Sequence, residues 1–583
     1  MSLSSAETTV PRILLSSPRG PYPKAPVEKD PIDFFYYRNT LGQGIFRLRS
    51  FQSWYSLHFL AQNLPVPSVV LENPSMEQFQ REVTRGDFQA VAIGFTVITM
   101  APVLAMVLWL KQTHPGIDVI LGGYGTAVFK DPDATAALLQ ARADRICFGE
   151  GVEFMRRYLK ERWGIRQDMP LRQDFLPMEH CFFRTSIPIF KQLVFLGSLG
   201  CTFGCPFCAT SSQFDRRRIP IASGRELFDL ILGQARRHPK VQSAIIYDED
   251  FLIDRRRVVE FMCMMDSCRE LQDRPLLLTV FASVRSLRQY SIVELIRCGI
   301  GTIYIGVESF EEEILQREGL RKRDGDIRKW FDELHQNGIS TLGSLIVGWD
   351  GQSRERIQKE TDRFVSLNPT FYQVVPLHPV PGTALWRRLK EQGRFVQGYA
   401  FANDSIGQYS FTLKDVAPEE ALDCVAGAYR GLVAEGGPWP FRLTENLLRG
   451  YRHLSSEAHP VLRARALAYW KMCKPLLPLA IVSRAFFRGS GFKKRWSVLM
   501  RQMWRDHSVM FIGSLLVAII ACPFLTGIYG VANMLYWIRP RGDQPRFIRV
   551  EYAMKSNPYY KHDPHLGIPS GGYARSGAGT PTR

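Results

Sequence analysis

Paired cysteines are missing from this sequence. Eleven cysteines are scattered over 583 residues, and only Cys201, Cys205 and Cys208 cluster. No second pair stands at a spacing that would complete a four-ligand zinc site. A secretory leader is missing as well: MSLSSAETTV has neither a basic start nor an apolar core. The expected setting is cytoplasmic and reducing, with thiols kept out of disulfides. Nucleic-acid motifs are missing too, so no nucleic-acid partner is expected, although the net charge is +18. That charge is concentrated. Residues 441–506 hold fourteen Lys/Arg against three Asp/Glu. An apolar run follows at once, and basic residues beside such a run suit anionic lipid head groups better than phosphodiesters.

What is present is an ordinary globular composition, 45% hydrophobic and 22% charged, which predicts a packed core. From 10 to 165, apolar strand candidates alternate with helical spacing. RILLSS, PSVVLENP, DFQAVAIGFT, IDVILGGYG and DRICFGEG read as strands. Between and after them, SMEQFQREVTRG (with Ser75 as cap), APVLAMVLWLKQTHPG, ATAALLQARA and VEFMRRYLKERWG read as helices. Such alternation predicts an α/β domain with a doubly wound parallel sheet. Ligands on such sheets bind at the carboxyl ends of strands, here Gly94–Val97, Gly122–Gly125 and Gly149–Gly151. A linker (166–190) leads to QLVFLGSLG, the strand that delivers the cysteine loop.

From 191 to 400 the strand–helix unit repeats, through SAIIYDEDF, LLLTVFASV, TIYIGVES, STLGSLIVGWD and TFYQVVPLHPVPGT. It predicts a partial or full β/α barrel, with function at the strand ends. Residues 401–506 read as a helical basic domain. Ser508–Ile538 follows: 31 residues without a charge, long enough to cross a bilayer. Arg505 precedes it, Arg539 and Arg541 follow it, and Tyr536 and Trp537 lie at one edge as an aromatic belt would. Pro523 leaves a kinked span and a re-entrant hairpin both open, and a buried core helix is the third reading. The tail, 539–583, reads as polar and partly disordered.

The spacing C-x3-C-x2-C lets one short loop hold three irons of a cubane cluster while the fourth stays open. With Phe207 before the last cysteine, this loop resembles that of the radical S-adenosylmethionine (SAM) superfamily. The motifs that follow do so in order. YDEDF carries Asp248 and Asp250, where the resemblance implies contacts to the SAM amino group. GVES carries Glu308 and Ser309 toward the ribose. SLIVG ends in Gly348, and HPVPGT holds Pro381, both toward the adenine. The resemblance implies a 4Fe–4S cluster on Cys201, Cys205 and Cys208, with these cysteines catalytic. It also implies reductive cleavage of SAM, hydrogen abstraction from an unactivated carbon, and an electron donor such as flavodoxin or ferredoxin.

The first domain resembles the B12-binding domain of cobalamin-dependent radical SAM enzymes. IGFTVIT, LGGYGTA and FGEGVE carry the resemblance. They imply cobalamin contacts at Thr96, Val97, Gly122, Gly123, Tyr124, Gly149, Glu150 and Gly151. The D-x-H-x-x-G motif that supplies a lower axial histidine elsewhere is absent, so no cobalt ligand is named. Four functions compete. The first is a C-methyltransferase acting on a membrane-associated lipid-like or tetrapyrrole substrate, as in hopanoid- or bacteriochlorophyll-modifying members. The second is ring closure or oxidation of the same substrates without methyl transfer. A methylthiotransferase would need a second, N-terminal cluster, and only Cys147 and Cys181 precede the motif. A non-enzymatic sensor would have lost the SAM-site residues. The remaining cysteines, Cys263, Cys268, Cys298, Cys424, Cys473 and Cys522, read as core thiols.

Overall fold

The computed structural model describes residues 10–19, 39–51, 53–166, 170–182, 188–320, 326–401, 407–538 and 546–553, with side chains to 534 in the helix ending at 538. In chain order the strands begin with β1 (Ile13–Ser16), β2 (Leu48–Phe51), β3 (Ser68–Glu72), β4 (Ala90–Gly94), β5 (Asp118–Gly122) and β6 (Arg145–Ile146). Next come β7 (Met178–Phe182), β8 (Pro188–Phe195), β9 (Ser198–Leu199), β10 (Ile219–Pro220) and β11 (Ser243–Ile246). The last are β12 (Leu277–Ala282), β13 (Ile300–Glu308), β14 (Ser340–Val347), β15 (Phe371–Pro376) and β16 (Ile548–Tyr552).

The first sheet runs β16-β3-β1-β4-β5-β6. Its five N-terminal strands are parallel, and both faces are covered. Helices Tyr55–Asn63 and Gly151–Trp163 pack Leu57, Ala61, Met155 and Leu159 on one side. Helices Met76–Arg85, Met100–Thr113 and Ala134–Arg142 pack Phe79, Val103, Leu110 and Leu139 on the other. Burial on both faces is why these strands read as continuous apolar runs. Ser75 caps its helix in a reciprocal box with Gln78, as its sequence predicts.

The second sheet runs β15-β14-β13-β12-β11-β8-β7-β2. β8 and β11–β15 are parallel, and β7 and β2 extend the edge antiparallel. No pairing joins β15 to β2 among the described residues, so this is a partial barrel. Two boundaries differ from the sequence reading. Residues 48–51, assigned to the first domain, form β2 of the barrel sheet. Residues 178–182, assigned to the linker, form β7.

Helices Pro418–Gly436, Trp439–Leu454 and Pro460–Phe486 lie against the barrel. They share its core through Trp439, Phe441 and Tyr469 rather than enclosing one of their own. Two buried arginines fasten them. Arg465 donates to the carbonyls of Ile296 and Ile300, both at 3.0 Å, and Arg442 donates to those of Gly437, Pro369 and Leu432. Buried guanidinium groups are tolerated where their donors are satisfied in this way.

The last helix is Ser490–Ile538, broken only at His507 (φ −147°, ψ 48°). The His507 ring lies 4.2 Å from that of Trp470 and 6.0 Å from that of Tyr451. After it the chain returns. β16 pairs antiparallel with β3, Ile548 opposite Glu72 and Tyr552 opposite Ser68. The tail is therefore ordered at 546–553, because IRVEY alternates apolar and charged residues and the edge of β3 was open. Tyr536, Trp537, Arg539 and Arg541 lie outside the described side chains, as do residues 1–9 and 554–583.

Candidate active site

The cysteine loop is a closed excursion. β9 leads into it and β10 leads out, and the two pair antiparallel, Leu199 opposite Ile219. The neck is tight because Gly200 has φ +81°, and a Cβ there would meet the Arg217 carbonyl at 2.2 Å. Within the loop, Cys208 N–H donates to the Cys205 carbonyl at 3.1 Å, and a short helix, Ala209–Gln213, follows at once. Cys201 and Cys205 are buried and Cys208 is half-buried. None of the eleven cysteines is in a disulfide. Among the described residues, no three His, Cys, Asp or Glu gather closely enough to hold a single metal ion. Three thiolates that each serve a different iron need not converge on one point. The donor set of three sheltered sulfurs on one loop therefore fits a multi-iron cluster rather than a mononuclear zinc site.

The strand-end residues divide into two groups. The first group meets the cysteine loop. The Phe207 ring stands edge-on to Trp349, centroids 5.7 Å apart, and Trp349 follows Gly348, whose φ is +101°. A Cβ on Gly348 would strike Tyr409 at 2.6 Å, so only glycine fits that turn. Trp349 Nε1 points at the Glu308 carbonyl, 3.5 Å away. Glu308 closes β13 in a left-handed conformation, φ +60°, which costs a non-glycine residue energy and gathers at functional sites. Pro381 is buried, and its loop is sewn to the cysteines. Leu385 N–H donates to the Pro206 carbonyl at 2.9 Å, and Ser212 Oγ donates to the Gly382 carbonyl at 2.8 Å.

The second group is turned to supporting work. Asp248 accepts from the backbone of Gly197 (2.7 Å) and Ser198 (2.9 Å), from the Ser198 hydroxyl (2.8 Å) and from Arg257. It holds the strand end that launches the loop. Asp250 accepts from Ser283 N–H at 3.0 Å. Ser309 donates its hydroxyl to Glu360, which also accepts from the backbone of Phe310 and Glu311 and from Gln352. Gln352 in turn accepts from Gly348 N–H (2.9 Å) and Trp349 N–H (3.0 Å). Glu360 thus ties the ends of β13 and β14 together. Sequence reading missed it because it lies in mid-helix, with no motif around it. It also missed Glu249. Between two buried aspartates, half-buried Glu249 lies within electrostatic range of the Tyr124 hydroxyl, as does Cys208.

The first domain presents its strand ends to this loop. Tyr124 and Thr210 hydroxyls are 3.1 Å apart, and Lys130 Nζ donates to the Ser212 carbonyl at 2.8 Å. Gln213 reaches the Gly123 carbonyl (3.4 Å) and the Thr126 hydroxyl (3.3 Å). At Gly149, φ +86°, a Cβ would stand 3.5 Å from the Gln213 carbonyl. Gly123 and Gly125 are glycines because Phe95 fills the space a Cβ would need. Thr96 opens a single 3-10 turn with Val97, bracing Thr99 through its backbone. Glu150 is occupied as a helix cap, accepting from Val152 N–H (2.7 Å) and Glu153 N–H (2.6 Å), and Gly151 begins that helix. Cys147, beneath Gly122, is held as a neutral thiol by burial, its pKa pushed up to about 12. Tyr124 is 41% exposed and Phe148 49% exposed on adjacent strand ends. Two exposed aromatic rings over small residues fit a flat macrocycle, and no histidine stands on these loops to reach a metal at its centre. Among the other cysteines, Cys263 is exposed and so is not a core thiol, and Cys268 and Cys522 are half-buried.

Residues 196–363 match the radical SAM superfamily. An uncharacterised methyltransferase of Synechocystis sp. is 25% identical over 241 residues, 40% of this chain and 42% of that protein. The bacteriochlorophyllide d C-8(2)-methyltransferase of Chlorobaculum tepidum is 22% identical over 330 residues, 53% of this chain and 70% of that protein. The chain thus spans less than half of the first relative and over two thirds of the second. Among solved structures, the radical SAM methyltransferase TsrM from Kitasatospora setae, with tryptophan and a SAM analogue bound, superposes with a TM-score of 0.50 at 12% identity. That alignment covers 80% of this chain and 99% of the other, and it shows a shared fold. The family match lies over the cysteine loop and over β10–β14 after it, so residues 196–363 are a radical SAM domain.

Proposed function

We propose that this enzyme is a cobalamin-dependent C-methyltransferase acting on an apolar small molecule of lipid-like or tetrapyrrole class at a membrane. One observation carries the reading. The B12-like strand ends, Gly122–Tyr124 and Gly149–Gly151, abut the helix that begins one residue after Cys208. A cluster on Cys201, Cys205 and Cys208 would supply the electron for SAM cleavage, and cobalamin would supply the methyl group. The chain's own residues hold and shield. Phe207, Gly348 and the Pro381 loop border the SAM side, Glu308 faces it from the end of β13, and Tyr124 and Phe148 offer the macrocycle an aromatic bed. Glu249 lies near both sides and is the charged group best placed to orient a polar atom of SAM or substrate. The two methyltransferase relatives support methyl transfer, and one of them is named for a tetrapyrrole. A flavodoxin or ferredoxin is the expected electron donor.

The test is anaerobic reconstitution of the full chain with iron, sulfide, cobalamin and SAM, followed by mass spectrometry of a membrane-lipid and pigment extract. Gain of one methyl mass in an apolar component is expected. Loss of hydrogens without methyl gain would replace this reading with oxidation or ring closure. SAM cleavage that survives in the Cys201→Ala, Cys205→Ala and Cys208→Ala variants would overturn the cluster assignment.

A further inference from the structure

The apolar helix after His507 is tied to the protein at both ends. Its start continues from a helix whose Leu499, Met500 and Met503 are in the barrel-side core. Beyond its end, Arg546 pairs with Glu179 of β7 at 2.9 Å and its guanidinium stacks 3.8 Å from the Phe51 ring of β2. β16 then pairs with β3, and Arg549 meets Glu82 through two bonds of 2.8 Å. From 538 to 546 is eight residue steps, at most about 28 Å. Those residues, RPRGDQPR, include three arginines and one aspartate before Phe547. Such a segment does not recross the ~30 Å hydrocarbon of a bilayer. A helix that crossed once would strand β16 on the far side from β3. The pairing of β16 therefore excludes a single crossing.

The helix also lies along the body instead of leaving it. Ser514, Ala518, Leu525 and Ala532 are buried, and Phe511, Ala521, Cys522 and Tyr529 are half-buried between them. That is one continuous stripe at helical spacing, and Ala518 and Leu525 belong to the barrel-side core. No residue but His507 leaves helical geometry, so Pro523 makes no hairpin turn. The opposite face is apolar and outward: Val509 is 85% exposed, Ile520 74% and Phe524 68%. Upstream of the kink, Lys493, Lys494, Arg501, Trp504 and Arg505 are exposed on the same long helix.

We infer that Ser508–Ile538 is a monotopic anchor. It lies in the plane of one anionic leaflet, with its outer face in the acyl boundary and the basic 441–506 region against head groups. The charge argues for that occupant. Of the fourteen Lys/Arg set against three Asp/Glu in 441–506, all but the buried Arg442 and Arg465 reach the surface, which matches an anionic surface and would repel a second copy. The span and hairpin readings of the sequence both give way. The inference is independent of the reaction catalysed.

The test uses the full chain in two experiments. With sealed vesicles of phosphatidylcholine and phosphatidylglycerol, cosedimentation is expected, weakened by high salt or by omitting phosphatidylglycerol. The double variant Ile520→Asp/Phe524→Asp should lower the bound fraction at least tenfold with its circular dichroism unchanged. Val509→Asp, beside the kink, serves if the double variant misfolds. In sealed membranes from expressing cells, an epitope after Arg583 and the catalytic body should be digested by protease from the same face. Protection of the epitope alone would establish a crossing and overturn the inference. So would a failure to bind vesicles with a dimer, seen by ultracentrifugation, that the aspartates abolish.

Discussion

Asp248 accepts from Gly197, from Ser198 twice and from Arg257, with its side chain fully buried. Removing its carboxylate leaves the Arg257 guanidinium buried without its counter-charge, a loss of about 3–5 kcal/mol. Asp248→Ala is therefore expected to lower the urea midpoint and the iron content together. Glu249→Gln is expected to shift stability by no more than about 0.5 kcal/mol while slowing SAM cleavage or methyl transfer. A stable Asp248→Ala variant that fails only to bind SAM would reverse these roles. The sequence YDEDF could not show this division. The alternation of two aspartates around a glutamate marks a strand end, but which of the three faces inward depends on Arg257 and Ser198, one on a later helix and one on an earlier strand. The cysteines were readable because their spacing is local. Glu360 was unreadable because its four donors come from two segments distant in sequence, 309–311 and Gln352.

At the scale of elements, the parallel strands were readable because burial on two faces leaves uninterrupted apolar runs bounded by helices. β7 and β2 were not. MEHCF and LRSF carry charged or polar residues, and what makes them strands is an open edge: β7 adds to the edge of β8, and β2 then adds to that of β7, a partner more than a hundred residues away in sequence. β7 also carries a buried histidine, His180, stacked on Phe190 at 4.1 Å, and helix Ile327–Gln336 carries another, His335, 2.8 Å from the Thr341 hydroxyl. Burial pushes both pKa values down to about 3. Below the ordinary histidine value of about 6.5 the unfolded chain takes up protons that the native state refuses. Stability is therefore full above that value and is lost as pH falls toward 3, at about 1.4 kcal/mol per pH unit for each histidine. From pH 7 to 5.5 the pair costs about 2.5 kcal/mol. Glu360, whose pKa is raised by burial, acts in the opposite sense and offsets part of it. Urea unfolding at the two pH values should show the loss, and His335→Gln, which can still bond Thr341, should reduce the slope by half. An unchanged slope would remove His335 from the account.

At the scale of the whole molecule, the two α/β bodies meet through apolar packing, Trp386 and Phe401 against the first domain's core and Phe59 and Val152 against β7, β8 and β11, and polar contacts beside the cysteine loop fix their register. Asp131, just past the Gly122–Lys130 segment, accepts from Trp386 Nε1 at 2.8 Å and pairs with Lys390, both on the helix after the Pro381 loop. Partial burial alone would raise its pKa, but these two donors outweigh it and hold the carboxylate below its ordinary range. Lys130 reaches Ser212 across the same seam. On the proposed function, these contacts set the distance between the strand ends at Gly122–Tyr124 and the cysteine loop, and none of them uses a residue assigned to a cofactor. If the proposed function holds, loosening them separates SAM cleavage from methyl transfer. Asp131→Ala combined with Lys130→Ala is expected to leave SAM cleavage within about twofold of the parent, since no residue of the cysteine loop or barrel is replaced. Methyl transfer is expected to fall by one to two orders of magnitude, about 1.4–2.7 kcal/mol of lost positioning. The ratio of 5′-deoxyadenosine formed to methyl groups transferred would rise accordingly. A double variant that loses both activities in proportion would mean that this seam only stabilises the fold, and one that keeps both at the parental level would mean that the two bodies are registered elsewhere, through Tyr124 and Gln213.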